Sequence, residues 1–278
     1  MERQGMENLK AKTFEIRQDI LDTIVNCKAG HIGGGFSVTD ILTTLYFKQM
    51  SIDPKNPKAQ NRDRLILSKG HSVEALYSVL ANRGFFPRED LKTVSGFGSQ
   101  YIGHPNNKIA GVEMNSGSLG HGLSVSVGMA LAGKMDKASY RVYVVMGDGE
   151  LAEGSVWEGA MAASQYKLDN LCAVIDRNGL QISGTTKDVM CHEDLESRWS
   201  SFGWHVIHAN GNDIESLDTA FDTARTISGK PTVIIAHTMK GYGVSFMENS
   251  VSWHHKVPDA DEYKRAAAEL FERRSAAL

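Results

Sequence analysis

The chain has 278 residues, 41% of them hydrophobic, and thirty Lys and Arg against thirty-three Asp and Glu give a formal charge of -3. That length fits one large α/β unit, and without any block of five like charges there is no electrostatic footprint for nucleic acid or an anionic membrane. The first twenty residues are charged throughout and no window approaches the ~20 apolar residues of a membrane span. Cys27, Cys172 and Cys191 show no CxxC spacing, so the expectation is a soluble, cytoplasmic chain with reduced thiols.

Residues 7–26 carry apolar side chains at mostly helical spacing and predict an amphipathic helix that ends in a Gly-rich stretch, residues 28–35. Ser37-Val38-Thr39-Asp40 has the shape of a capping box, which sets the expected start of the next helix at Ser37. A polar loop over 53–63 leads to a short buried strand, Arg64 to Leu67, and a helix from Val73 to Arg83. Two further apolar runs, Arg141–Met146 and Leu171–Ile175, each stop abruptly, the first at Gly147-Asp148-Gly149 and the second at Asp176-Arg177-Asn178-Gly179. A helix is expected between them over about 155–166. Strands at 204–208 and 232–237 flank a helix over about 214–227, and a last helix covers about 259–277. Strands apolar on both faces and alternating with helices predict a mostly parallel sheet covered on both sides, with the strand C-termini along one ligand-binding edge. The expected organisation is one unit over 1–278: a helical segment to about 60, a core over about 61–250 and a helical tail from about 259.

Asp148 and Asn178 carry the strongest chemical signal. Twenty-eight residues separate Gly149 from Asn178, enough for one helix and one strand, so both oxygen donors emerge at the same edge from neighbouring strands. A carboxylate beside an amide oxygen suits Mg²⁺, which keeps substrate phosphate oxygens in its shell. The flanking glycines admit close backbone approach, and the helix near Ser155 is expected to direct its N-terminus at the anion.

With these residues in place, the sequence resembles the thiamine-diphosphate enzymes, and the transketolase family in particular. The matching pieces occur in the family's order: Lys28-Ala29-Gly30-His31, Ser68-Lys69-Gly70-His71, Gly103-His104-Pro105, residues 115–122, residues 147–154, Lys240-Gly241-Tyr242-Gly243 and Trp253-His254. The resemblance implies the thiamine-diphosphate-binding fold and ketol transfer from a ketose phosphate to an aldose. It implies Asp148, Asn178 and the Leu180 carbonyl as metal ligands. It assigns His71, Gly117, Ser118, Leu119, Gly149, Glu153 and Asn178 to the cofactor, with Glu153 at the subunit contact. It sets His31, His104 and His254 against the reacting carbon and the sugar hydroxyls. Imidazoles titrating near neutrality suit the proton transfers of that reaction.

In that family the glutamate that meets the cofactor's aminopyrimidine, and the sugar-phosphate site, belong to a second α/β domain. Residues 263–278 read here as a finished helical tail, so the expectation is a split transketolase. Its N-terminal subunit would be completed by a separate C-terminal, pyrimidine-binding subunit in an α2β2 assembly. A deoxyxylulose-phosphate synthase-like or 2-oxo acid dehydrogenase-like subunit, and a non-catalytic regulatory subunit, remain alternatives. Of the other histidines, His255 reads as surface or structural, His121 as a helix start, and His237 lies near the cluster without a matching motif. Glu150 reads as a first-turn helix-dipole residue rather than a base.

Overall fold

The computed structural model describes residues 2–190 and 194–278, with side chains from Gly5 onward; Cys191 and His192 lie outside the described residues. Two helices, α1 (Glu2–Cys27) and α2 (Ile32–Thr44), lead to β1 (Arg64–Leu67) and α3 (Val73–Arg83). A long irregular segment reaches α4 (His121–Met135), β2 (Val142–Gly147), α5 (Gly154–Gln165) and β3 (Leu171–Arg177). A small hairpin of β4 (Leu180–Gln181) and β5 (Gly184–Thr185) precedes α6 (Thr186–Val189) and α7 (Leu195–Ser201). Then come β6 (His205–Asn210), α8 (Ile214–Thr226), β7 (Thr232–His237) and α9 (Ala260–Ala276).

Among the described residues, five parallel strands form one sheet in the order β1-β2-β3-β7-β6. Alternate side chains of each strand enter different cores. Tyr143, Val145, Cys172, Val174, Ile234 and Ala236 join a core built with α1, α2, α3 and α8. Val142, Val144, Met146, Leu171, Ala173, Ile175, Val233 and Ile235 join a second core with α4, α5 and α7, centred on the fully buried Trp199. Each such aliphatic side chain contributes ~1.5–3 kcal/mol by leaving water. The central strands β2, β3 and β7 are buried along nearly their whole length, whereas the edge strand β6 exposes His208 and Asn210. In the central strands β2 and β3 the charged residues therefore appear only where the strands end.

The expected elements form, with one displaced boundary that matters. Helix α2 begins at Ile32, not at Ser37, and no side chain caps it. Three consecutive glycines ordinarily disfavour a helix, but here packing requires them. A Cβ on Gly33 would stand 2.7 Å from the Trp253 carbonyl oxygen, and one on Gly34 would stand 3.0 Å from Ser72 Oγ. Ser37 is a buried interior residue whose hydroxyl donates to the Asp176 carboxylate at 2.6 Å, and Asp40 pairs with the buried Arg17. The hairpin β4–β5 and helix α7 have no counterpart in the sequence expectations. Helix α1 begins five residues before the expected start.

Helix α4 approaches β1 just where the strand turns toward α3. The Gly122 backbone N–H donates to Ser68 Oγ at 3.1 Å, and a Cβ on Gly122 would meet Ser68 Cβ at 2.4 Å and its Cα at 2.9 Å. Gly122→Ala is expected to destabilise the chain by ~1–3 kcal/mol through overpacking, read as a lower urea midpoint at unchanged slope. A midpoint equal to the wild type would show that α4 does not depend on this contact.

Candidate active site

The parallel register sets Gly147 opposite Asp176 on β2 and β3, so the turns that follow both strands open on one edge. Asp148 and Asn178 emerge there together. Asp148 is 3% exposed, accepts backbone N–H groups from Gly149 (2.9 Å) and Gly179 (2.6 Å), and among the described residues has no ion-pair partner. Burial, and then the neighbouring Asp176, raise its pKa to about 6. The Asn178 side-chain oxygen accepts from Leu180 N at 3.2 Å, and the Leu180 carbonyl accepts from Lys240 Nζ at 3.3 Å. An unpaired buried carboxylate beside an amide oxygen and a main-chain carbonyl fits a hard divalent cation that shares its shell with phosphate oxygens. Among the described residues no three His, Cys, Asp or Glu side chains are grouped to hold a metal by themselves, so such a cation would need those phosphate oxygens.

These groups floor a cavity of about 320 Å³ lined also by His31, Gly34, Lys69, His71, Gly117, Leu119, Gly147, Gly149, Glu150, Gln181, Ile182, Lys240 and His254. Two buried lysines stand in its floor. Lys69 pairs with the buried Asp176 and donates to the Gly34 carbonyl at 3.0 Å; Lys240 lies 2.9 Å from His254 Nδ1. Burial, then Lys69, pull the Lys240 pKa down to about 8, so it remains largely cationic at pH 7. Above the floor the imidazoles cluster. The His31 ring centre lies 5.0 Å from His71, 5.6 Å from His254 and 4.6 Å from His255, and His71 stacks on His254 at 5.6 Å. Burial depresses their pKa values first, with nearby cations adding to it: His31 to about 4, His254 to about 3 and His71 to about 2.

The three deep imidazoles are therefore neutral at pH 7 in the free chain, contrary to the expectation that they titrate near neutrality. A neutral imidazole can still accept one hydrogen bond and donate another. Of the residues singled out from sequence, His31, His71, His254, Gly117, Leu119, Asp148, Gly149, Asn178 and Leu180 share the cavity. His104 stands at its rim, exposed, with its ring against Gly117, whose φ of 140° and lack of a side chain admit it at that distance. Ser118 and Glu153 are exposed and lie outside the cavity lining. The 3₁₀ turn Gly149–Ala152, rather than the start of α5, faces the cavity.

Sequence reasoning passed over Lys69 and Lys240 as agents, although both sit in quoted motifs, and missed Gln181 and Ile182 because the hairpin was unforeseen. It also left His255 out of the cluster it joins. Glu150, read from sequence as a helix-dipole residue, ties the edge together through its carboxylate by accepting from Ser68 Oγ, Gly120 N (2.8 Å) and Gly147 N (3.0 Å). His237 stands outside the cavity, stacked on His208 at 5.2 Å.

A parallel sheet whose strand ends hold a carboxylate–amide pair over two buried lysines defines a diphosphate-binding domain. The family described as transketolase, thiamine diphosphate binding domain, matches residues 9–272, and the chain belongs to that family. It is 50% identical over 268 residues to an apulose-4-phosphate transketolase subunit of Phocaeicola vulgatus, covering 96% of this chain and 95% of that one. It is 42% identical to a 6-deoxy-6-sulfo-D-fructose transketolase subunit of a Clostridium species, covering 95% and 96% of the two chains. The solved transketolase of Campylobacter jejuni superposes with a TM-score of 0.89 at 32% identity over 96% of this chain. This chain spans 43% of that single-chain enzyme, whereas it matches separately encoded subunits nearly end to end.

One buried group beneath His31 belongs to none of these roles. Glu74 is 3% exposed; its carboxyl receives backbone N–H groups of His31 and Glu74 itself, and its Oε2 has no hydrogen-bond partner. A Cβ on Gly30 would lie 2.6 Å from Oε1, so the carboxyl fixes the turn that carries His31. Burial raises its pKa to about 7. A carboxyl raised in this way holds its proton in the folded state while the unfolded chain releases it above about 4.5. Stability is thus lost as pH rises from about 4.5 to about 7. Glu74→Gln removes this term. Its stability relative to wild type, from urea unfolding of the cofactor-free chain, is expected to improve by about 2 kcal/mol between pH near 5 and pH near 7.5. A pH-independent difference would mean that Glu74 is ionised in the fold.

Proposed function

We propose that this chain is the N-terminal subunit of a two-chain transketolase that transfers a two-carbon ketol unit from a ketose phosphate to an aldose. It would be completed by a pyrimidine-domain subunit in an α2β2 assembly, and would act in the cytoplasm as one unit over residues 1–278. The observation that carries the reading is the convergence of unpaired Asp148, Asn178 and the Leu180 carbonyl on a lysine-floored cavity beneath three neutral imidazoles. The end-to-end match to subunits whose names specify apulose 4-phosphate and a sulfosugar supports a phosphorylated or sulfonated ketose donor.

Bound thiamine diphosphate supplies the carbon nucleophile and the electron sink that ketol cleavage needs. Asp148, Asn178 and the Leu180 carbonyl would hold Mg²⁺ against its diphosphate, and Lys240 adds positive charge on the same side. Gly117 and Leu119 line the cavity beside the His71 turn, where a Cβ on Gly70 would lie 2.8 Å from Gly117 N. His31 and His254, neutral and side by side, are arranged to receive hydrogen bonds from donor hydroxyls and to donate them to developing oxyanions. His104 at the rim extends that array outward. An array of imidazoles around one cavity suits a hydroxyl-rich substrate better than the carboxylate of a 2-oxo acid. Glu153, exposed at the start of α5, is suited to a contact with another chain.

Turnover of xylulose 5-phosphate with ribose 5-phosphate, with thiamine diphosphate and Mg²⁺ present, is expected only after this chain is mixed with its partner subunit. Activity from the chain alone would refute the split arrangement. In the complex, Asp148→Ala is expected to weaken Mg²⁺-dependent cofactor binding at least ~100-fold and Asn178→Ala about tenfold, since even outer-shell partners of a metal cost ~10–100-fold. Affinity that stays normal, or no longer depends on Mg²⁺, would remove these residues from the metal.

A further inference from the structure

His255 is a surface residue by its exposure but not by its position. The segment that carries it is fixed on both sides. Trp253 is buried and its carbonyl oxygen presses on Gly33, and the His254 ring meets Lys240 at 2.9 Å. On the other side the Lys256 ammonium lies 4.0 Å over the Trp253 ring and pairs with Glu262. Between these anchors the exposed His255 ring lies 4.6 Å from His31, nearer than either deep imidazole of the cluster. Among the described residues it makes no hydrogen bond or ion pair, while its cationic neighbour is committed elsewhere. Among the described residues nothing bonds this imidazole, yet the residues on both sides of it are anchored.

The lining of the cavity says what it faces. His31 belongs to the cavity wall and His255 does not, so His255 stands on the outer side of His31, away from the Asp148 floor. A donor sugar whose carbonyl carbon reaches the cofactor beside His31 must extend its remaining carbons toward the mouth. From these positions, the geometry points to His255 as a specificity-determining residue that hydrogen-bonds the donor beyond its transferred two carbons, at the distal hydroxyls or phosphate of a ketose phosphate. This deepens and rests on the transketolase reading above. Hydroxyl and phosphate oxygens both accept an imidazole N–H, and the residue contributes to holding the donor rather than to bond cleavage.

The test uses the reconstituted two-chain complex with thiamine diphosphate and Mg²⁺, comparing wild type with His255→Ala and His255→Asn. Xylulose 5-phosphate and unphosphorylated xylulose serve as donors. For His255→Ala the KM for xylulose 5-phosphate is expected to rise about tenfold, the scale of one lost hydrogen bond, with kcat within about twofold and cofactor affinity unchanged. His255→Asn, which keeps a donor, should recover much of the loss. A similar rise with xylulose assigns the contact to hydroxyls, and a rise confined to the phosphorylated donor assigns it to the phosphate; both support the inference. An unchanged KM for both donors overturns it, as does a parallel loss of cofactor affinity, which would mark a structural role. Should the wild-type complex turn over no ketose phosphate, the transketolase reading falls. Calorimetric binding of xylulose 5-phosphate to the complexes then still decides: equal affinity, or binding to neither, overturns the role of His255.

Discussion

The edge of the sheet that carries the chemistry is organised by one buried ion pair, Lys69 with Asp176. Lys69 follows β1 and Asp176 ends β3, so the pair spans over the end of β2, the strand that delivers Asp148. The Asp176 carboxylate also receives Ser37 Oγ of α2 and Thr238 Oγ1 after β7, while Lys69 donates to the Gly34 carbonyl. Charge buried to this degree is costly unless it is paired and its remaining lone pairs are satisfied, and here the partners come from four separate elements. The Lys69 ammonium, with these hydroxyls, holds the Asp176 carboxyl below the usual carboxylate range despite complete burial. Removing either partner would leave an uncompensated charge at the centre of the site. The pair is thus as much a positioning device for the glycine-rich start of α2 and the His71 turn as a source of local charge.

Glu150 performs the parallel task without a cation. Its buried carboxylate gathers Ser68, Gly120 and Gly147, joining β1, the start of α4 and the end of β2. Two carboxylates thus bind the strand ends from either side of β2, and Asp148 is left between them with backbone donors alone. Only Asp176 meets a cation; Glu150 has three neutral donors, whereas Asp148 has two backbone donors and lies beside a second anion.

Much of the fold was legible because parallel strands covered on both faces must be continuously apolar, and each run such as Val142–Met146 ends where polar chemistry begins. The Asp148–Asn178 pairing was legible for the same reason, since strand ends in a parallel sheet share one edge. What escaped the sequence were features set by tertiary contact. The start of α2 looked like a break because Gly33, Gly34 and Gly35 are poor helix formers, and only the closeness of Trp253 and Ser72 explains the first two. The hairpin that brings Gln181 and Ile182 to the cavity is two residues per strand, too short for any periodicity. His255 differs from His254 by one position, and its nearness to His31 depends on the turn before it, which no local pattern encodes.

The order of the imidazoles from floor to mouth bears on how protons move. His71, His254 and His31 have pKa values of about 2, 3 and 4, and burial is the largest cause in each, with the lysine floor adding to it. A base this weak is a poor partner for taking a proton outright from a sugar hydroxyl at pH 7, because the transfer runs uphill by several units. An anion over Lys69 and Lys240 would offset only the smaller, coulombic part of that depression, since burial is the larger cause. In the free chain these imidazoles are hydrogen-bonding groups rather than bases at pH 7, and burial more than the lysine floor makes them so.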